Sequence, residues 1–586
     1  MPLLEEFPPV STEQWESVIQ KDLKGADYSK RLLWQTDEGI TVKPYYRAED
    51  LNGLEYLSQA APGEFPYTRG TEPANDWRIR EEIDNPSIAE ANAAAKAAVS
   101  NGAQEIWFRR ATPQLLANLN ALLAGLEGVA IGFWAADANR EAFVNLLIDS
   151  GIKLKGVMKL HPFTDADLAA RYLKLSPGPE FRPVAIRRAN FLEAGATTVQ
   201  EIGFVLSTGI EYLRWMTDRG VTVDQAANGV AFWMSIGSSY FFQIAKFRAF
   251  RMLWARAVQA MGGSEAAAKA CIYARTADWN QSIYDPYNNV LRGTTEAMSA
   301  AIGGVHSLAV APFDETYRNA RPEARRLARN TQLILKRESW FDRVVDPGAG
   351  SYYIEVLTDS LAREAWKLMQ GVESMGGYLK ARDSGFIPNE VRASRDRKAQ
   401  ALAMRRKAVV GVNNYPNTKE RMLEQIEPKD IDLHYGRGVE VFEDVRLRTE
   451  RYAAAGNQTP VILLAEMGDL KMRKARSGFV LNFFGCAGFD MRTEYFENPE
   501  ALAAHVGQAG APGPADVVVL CSSDEEYTTL APAVIAALDG RIPVIIAGNP
   551  KDADQLKAAG VADFVHIRSN MVDTLTKWQD RLGVKG

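Results

Sequence analysis

The stretch ADVVVLCSSDEEYTTLAPAVIAALDGRIPVIIAG, residues 515–548, decides the fold class. A short apolar run, VVVLC, ends in two serines. A segment with helical spacing follows, and a second apolar run, PVIIAG, closes the unit. A strand, a helix and another fully apolar strand make a βαβ crossover, and that connection calls for a parallel sheet covered on both faces. The pattern repeats on either side. PVILLAEMG, GFDMRTEYF and ADFVHIRS read as further strands, with NPEALAAHVGQAG, KDADQLKAAG and NMVDTLTKWQDRLG as helices between and after them. Five such units from 459 to the end describe a flavodoxin-like, doubly wound domain, in which ligands sit at the carboxyl ends of the strands.

Upstream, a longer alternation runs from about 85 to 385. ANAAAKAAVSNGA leads to QEIWFRR, TPQLLANLNALLAG to VAIGFWAA, and NREAFVNLLIDSGI to LKGVMKL. FRPVAIRRA, GVAFWMSI, KACIYART and VHSLAV continue the strands, with long helical segments such as TTVQEIGFVLSTGIEYLRWMTDRG between them. About eight β–α units in one run are the pattern of a (β/α)₈ TIM barrel. Between the two series lies a charged helical stretch, PNEVRASRDRKAQALAMRRKA, then VVGVNNYPN and the irregular IEPKDIDLHYGRGVE. The division expected is therefore an N-terminal helix and extended arm over 1–45, a barrel over 46–385, a linker over 386–457 that wraps both domains, and a flavodoxin-like domain over 458–586.

Composition fits such a chain. Of 586 residues, 46% are hydrophobic and 24% charged, with a net charge of −5, which gives no support for nucleic acid or an anionic membrane as partner. Three well-separated cysteines, Cys271, Cys486 and Cys521, form no disulfide framework or zinc motif and suit a reducing cytosol. The first residues carry no basic-then-apolar leader pattern, so a cytoplasmic location is expected. In the arm, Ser11 and Gln14 make a capping-box pattern, and Trp15, Val18, Ile19 and Leu23 share one face. That face packs either on its own chain or on a partner subunit.

Few residues carry chemistry. The five histidines lack ligand spacing. DPGAGSYYIE, from Asp346, has the glycines of a phosphate loop but no lysine, and reads as a tight turn before a strand. The loop after PVILLAEMG holds Lys471, Met472, Arg473, Lys474 and Arg476 at the prime ligand position. Three readings stay open for those cations: a solvated helix face, a phosphate site at a helix N-terminus, or the filling of a former pocket.

Several strings are similar to those of the methylmalonyl-CoA mutase family of adenosylcobalamin enzymes. They include PGEFPYTRG, EAGATTVQEIGF, FFQIAKFRAFRMLWARAV, YDPYNNVLRGTTEAM, ARNTQLILKRES and VVDPGAGSYYIE, and the resemblance covers nearly the whole chain. It implies a barrel that holds acyl-CoA and a flavodoxin-like domain of the cobalamin-binding type. In that domain a D-x-H-x-x-G histidine ligates cobalt, and an S-x-L and a G-G pair make room for the nucleotide tail. Here the histidine position falls on Met472, the S-x-L frame on Cys521, Ser522 and Ser523, and the G-G pair on Gly548 and Asn549. A thioether replaces an imidazole poorly on cobalt(III).

The barrel departs in parallel. The segment before WRIREE is about four residues shorter than in the family and lacks its tyrosine, while Trp77, Ile79 and Arg80 remain as framework. A family histidine near the migrating group falls on Asn190, and one that contacts coenzyme A falls on Ala309. The glutamine and arginine that hold the substrate carboxylate find no counterpart in KLHPFTDADLAARYLKLSPG. The resemblance thus implies a degenerate member that binds no cofactor or metal: the small chain of a 1:1 heterodimer whose large, catalytic chain carries adenosylcobalamin. The alternatives are a stand-alone acyl-CoA binding or regulatory module and an atypical acyl-CoA mutase.

Overall fold

The computed structural model describes residues 9–58, 61–111, 118–135, 140–150, 154–175, 180–186, 191–429, 436–507 and 515–585. Helix α1, Thr12–Asp22, starts where its caps predict: Ser11 Oγ accepts the Gln14 amide, and the Gln14 side chain accepts the Ser11 amide. None of its residues is buried. Trp15 stacks on Tyr45 of the same chain with centroids 5.3 Å apart, yet it stays 48% exposed and Val18 57%.

Eight parallel strands close into a barrel: β1 (Arg78–Ile83), β2 (Glu105–Ala111), β3 (Ala130–Ala135), β4 (Gly156–Leu160), β5 (Phe181–Ile186), β6 (Val230–Ile236), β7 (Ile272–Thr276) and β8 (Ser307–Ala309). Strand β8 pairs with both β7 and β1, which completes the circle. The barrel opens one strand before the alternation read from the sequence. RIREEI carries charges at four of its six positions, so it shows no apolar period, and part of that charge points into the barrel rather than to water. Outside the strands lie α2 (Thr198–Thr217), α3 (Tyr240–Ala260) and α4 (Tyr352–Ser374), packed against one another. Helix α2 is buried along most of its length, since it is covered by the barrel on one side and α4 on the other.

The expected strand after DPGAGS is a correction. Ser351 Oγ caps α4 by accepting the Ile354 amide, and Gly350, at φ +80°, turns the chain into it. Tyr352, Tyr353 and Ile354 are strand-prone, but the apolar residues Ile354, Leu357, Leu361 and Ala365 recur at helical spacing and are the buried ones.

Helix α5 (Phe386–Ala403) buries Ile387 and Val391 in the barrel core, and α6 (Glu440–Ala454) buries Phe442 and Val445 in the core of the second domain. That domain has strands β9 (Val461–Glu466), β10 (Asp490–Tyr495), β11 (Val517–Cys521), β12 (Val544–Ile546) and β13 (Asp563–Phe564) in the order β10-β9-β11-β12-β13, all parallel. This is the flavodoxin-like order, and it reverses direction between β9 and β11. The helices that flank this reversal are α7 (Leu470–Phe484) and α8 (Tyr527–Ala537).

Polar contacts tie the domains together. Glu443 accepts the Ile283 amide at 2.9 Å and both ends of the Arg437 guanidinium at 2.7 and 2.5 Å. Glu450 accepts Tyr284 Oη at 2.9 Å and the Met422 amide at 2.8 Å. Among the described residues no helix is long and apolar enough to cross a membrane.

Candidate functional site: the barrel lumen and the sheet edge

Alternate residues of a barrel strand point inward, so β1 sends in Arg80 and Glu82, β2 Glu105, Trp107 and Arg109, β6 Ala231 and Trp233, and β7 Tyr273 and Arg275. The lumen is consequently full. Trp107 and Trp233, from strands on opposite sides, meet edge to face at 4.9 Å, with Tyr273 6.1 Å from Trp107. Arg80 lies over Trp233 at 4.4 Å and is 5.5 Å from both Trp107 and Tyr273. It donates to Ser307 Oγ and the Ala274 carbonyl, each at 2.9 Å. Burial lowers the Arg80 pKa; Glu82 and Glu105 oppose that. On β3, Gly132 makes the arrangement possible, because a Cβ there would fall 2.1 Å from the Trp107 ring.

Above this layer sits an ion-pair cluster. Glu315 binds Arg109 at 2.6 Å and Arg275 at 2.5 Å, and Glu82 lies 3.5 and 3.3 Å from the same two arginines. Burial pushes the Glu315 carboxyl up, but Arg275 and Arg109 outweigh it and hold the pKa well below the usual range. Ala309, at the end of β8, borders one small cavity, together with Arg109, Glu315 and Arg325, and a second of about 120 Å³ lies beyond the ends of β6 and β7, against Gly237, Ser238 and Trp279. The volume of the first is about 40 Å³. A water needs roughly 10–15 Å³ by that measure, so the cavity beside Ala309 has room for a few waters only. Asn190 lies outside the described residues. Its neighbour in sequence, Glu193, is buried, accepts Ser235 Oγ at 3.0 Å and the Asp278 amide at 2.9 Å, and is pushed up to about 8 by burial and then by Asp278.

At the sheet edge the cations lie on a helix and not in the loop expected after PVILLAEMG, which agrees with the helix-face reading among the three left open. Asp469 caps α7 by accepting the Met472 amide at 2.8 Å, so the helix starts one residue later and Lys471 to Arg476 ride on its first turns. Lys474 pairs with Glu466 at 2.7 Å, and Arg476 with Asp524 at 2.8 Å. Arg473 donates to the Gly468 carbonyl and lies 4.1 Å from the Tyr495 ring. Met472 is half-buried on α7, Cys521 is buried at the end of β11, and Asn549 is exposed. The space over Gly548 is taken: a Cβ there would come within 2.9 Å of Asp524 Oδ1 and 3.5 Å of Arg476. Ser522 and Ser523 both donate to Glu526, at 2.5 and 2.8 Å.

The structure therefore brings Met472, Cys521, Ser523, Gly548 and Asn549 to one edge, and puts Ala309 in the barrel mouth. Apart from Arg80, kept as framework, sequence reasoning missed the lumen residues and Glu526. The lumen set had a signal, since Glu105, Trp107 and Arg109 alternate on one face of QEIWFRR.

A closed parallel barrel followed by a 2-1-3-4-5 sheet, with one candidate site in each, is an α/β two-domain protein of the acyl-CoA mutase layout. A family model described as methylmalonyl-CoA mutase matches residues 35–131 and 167–459, and the chain belongs to that family. It is similar to the methylmalonyl-CoA mutase small subunit of Porphyromonas gingivalis, 38% identical over 626 residues and covering 100% of this chain and 99% of that one. The small subunit of Streptomyces virginiae is 31% identical, covering 99% and 98%. A methylmalonyl-CoA mutase of Cereibacter sphaeroides is 31% identical over 521 residues, covering 80% of this chain and 72% of that one.

Proposed function

We propose that this chain is the small, non-catalytic subunit of an adenosylcobalamin-dependent methylmalonyl-CoA mutase. It stabilises a large catalytic chain in a 1:1 cytoplasmic heterodimer, and the large chain isomerises methylmalonyl-CoA and succinyl-CoA. The observation that carries this is the filled lumen. Acyl-CoA in this family lies in the barrel, and here Trp107, Trp233, Tyr273 and Arg80 stand in its way. A stand-alone acyl-CoA-binding module needs the same space open, so the same observation speaks against it.

The sheet edge supports the cofactor half of the reading. Cobalamin does not fit the residues present: Met472 offers no imidazole, and the Arg476–Asp524 pair covers Gly548. Cys521, Ser523 and Asn549 complete the set of altered positions, as Asn190 and Ala309 do for the barrel. No residue of this chain is assigned a catalytic role or a metal. The arm over 1–45 is assigned to the partner contact, because Trp15 and Val18 remain open to solvent.

Co-expression with a cobalamin-binding homologue tests the proposal. Light scattering after gel filtration gives the mass of one chain of each kind, and corrin absorbance follows the large chain alone. The proposal fails if the isolated small chain retains corrin stoichiometrically or turns over methylmalonyl-CoA. It also fails if the chain stays monomeric beside a partner that is stable and fully active without it.

A further inference from the structure

The cavity of about 120 Å³ beyond β6 and β7 lies on the face where TIM barrels place their sites. It is neither the filled lumen nor the edge of the second sheet. Residues after both strands border it, as do α5, the linker from Lys407 to Val409, and Val439 just before α6. Its polar lining is short of partners. Gln243, near the start of α3, is 1% exposed, and its Oε1 is enclosed without a donor. That amide lies beside Gly237, where a Cβ would come 3.6 Å from Nε2. Asn280 donates to Glu296 Oε1 at 2.9 Å and leaves its own Oδ1 buried without a donor. Ser239 is the N-cap of α3 but makes no side-chain cap, so the first amides of this 21-residue helix stay open at the cavity's border.

One positive charge is also left over. Asp37 and Glu38 line the cavity but are engaged, Asp37 with Lys407 and Glu38 with the Thr198 amide at 3.3 Å. Lys398, on α5, forms no ion pair among the described residues. Its Nζ donates to the Ala196 carbonyl at 2.6 Å and lies 5.6 Å from the Trp279 ring. Burial pushes its pKa down to about 8, with Glu38 opposing. Leu192, Leu402 and Val409 add apolar surface. An ammonium and open helix amides call for an anion, while two enclosed carbonyl oxygens call for a donor on the same molecule. We propose that this cavity binds a short hydroxycarboxylate, its carboxylate held by Lys398 and the start of α3, its hydroxyl donating to Gln243 or Asn280. This inference goes beyond the assignment of the chain as a subunit and does not depend on it.

The test is calorimetric titration of the full chain, at matched ionic strength, with racemic lactate and 3-hydroxypropionate. Propionate, which lacks the hydroxyl, and lactamide, which lacks the charge, are the comparisons. At least one hydroxycarboxylate is expected to give a saturable one-site isotherm, with both comparisons weaker by roughly tenfold or more, the loss of one charge-assisted hydrogen bond. Lys398→Met, which keeps the aliphatic stem, should weaken binding to the same degree, and so should Gln243→Leu. The second variant removes an amide whose oxygen has no donor, so the fold does not rest on that group. If neither hydroxycarboxylate gives saturable heat, the cavity holds only water and the proposal is overturned. Lactamide or propionate binding as tightly overturns it too. So does unchanged affinity in Lys398→Met, or in Gln243→Leu should Lys398→Met not fold.

Discussion

Trp107 and Trp233 touch across the axis of the barrel, 4.9 Å between ring centroids, and Gly132 lies beneath the first of them. The pair comes from strands two and six, so a single contact spans the lumen. Its energetic weight can be measured directly.

Gly132→Ala drives a methyl into the Trp107 ring and is expected to destabilise the chain by about 1–3 kcal/mol or more, the range for overpacking a dense core. Trp107→Ala removes the plug and costs about 3–5 kcal/mol. In the double variant the added methyl meets no ring, so the effects are less than additive by about 1 kcal/mol or more. Urea unfolding of the three variants checks this, and simple additivity would count against the packing described.

Met472→His alone is expected not to restore cobalamin binding. It supplies an imidazole but leaves the Arg476–Asp524 pair over Gly548. Corrin absorbance retained by the variant on gel filtration is the readout, and stoichiometric retention contradicts the reading.

Trp15→Asp together with Ile19→Asp should weaken assembly with the large chain by tenfold or more without unfolding the barrel. No residue of α1 is buried, so the barrel does not depend on this helix for its core. Desalted mixtures followed by light scattering report the assembly, and circular dichroism reports the fold. An unchanged affinity would remove the arm from the interface.

Glu526 also predicts an acid-side signature. Its pKa is held down to about 2, first by the Ser522 hydroxyl, with the Ser523 and Asp469 donors adding to that against burial. An acid depressed in the folded chain stabilises fully above its unfolded pKa, and that contribution is lost as pH falls through the folded value. The window runs from the ordinary 4.5 down to about 2. The difference in urea midpoint between the wild-type chain and Glu526→Gln should therefore be constant near neutrality and shrink across that window. A difference that does not change with pH would show that charge is not what the donors hold.

Both domains were legible where strands are apolar on both faces. GVAFWMSI is buried at every position of β6, and VVVLC at every position of β11. Strand β1 was not legible as a strand, because Arg78, Arg80, Glu81 and Glu82 break the apolar pattern. The partners that make those charges tolerable, such as Trp233 and Ser307 for Arg80, lie far along the chain. The start of α7 was misread for a similar reason. The run of cations was placed in the loop after β9 although a helix face was among its readings, and Asp469, which caps the helix, settles where it starts. Register against the family found Met472, Ser523 and Asn549, while the S-x-x-E spacing from Ser523 to Glu526, a capping-box signal that the structure bears out, went unread.

Glu443 links Ile283 and Arg437, and thereby anchors α6, a helix whose apolar face belongs to the second domain, to the mouth of the barrel. Glu450 repeats the arrangement one side over, through Tyr284 and Met422. Two such rivets are expected to make the domains melt together. Heating should produce one calorimetric peak rather than two, and Glu443→Ala should split it, since the buried guanidinium of Arg437 would then lose its main counter-charge at the seam and keep only the more distant Glu440.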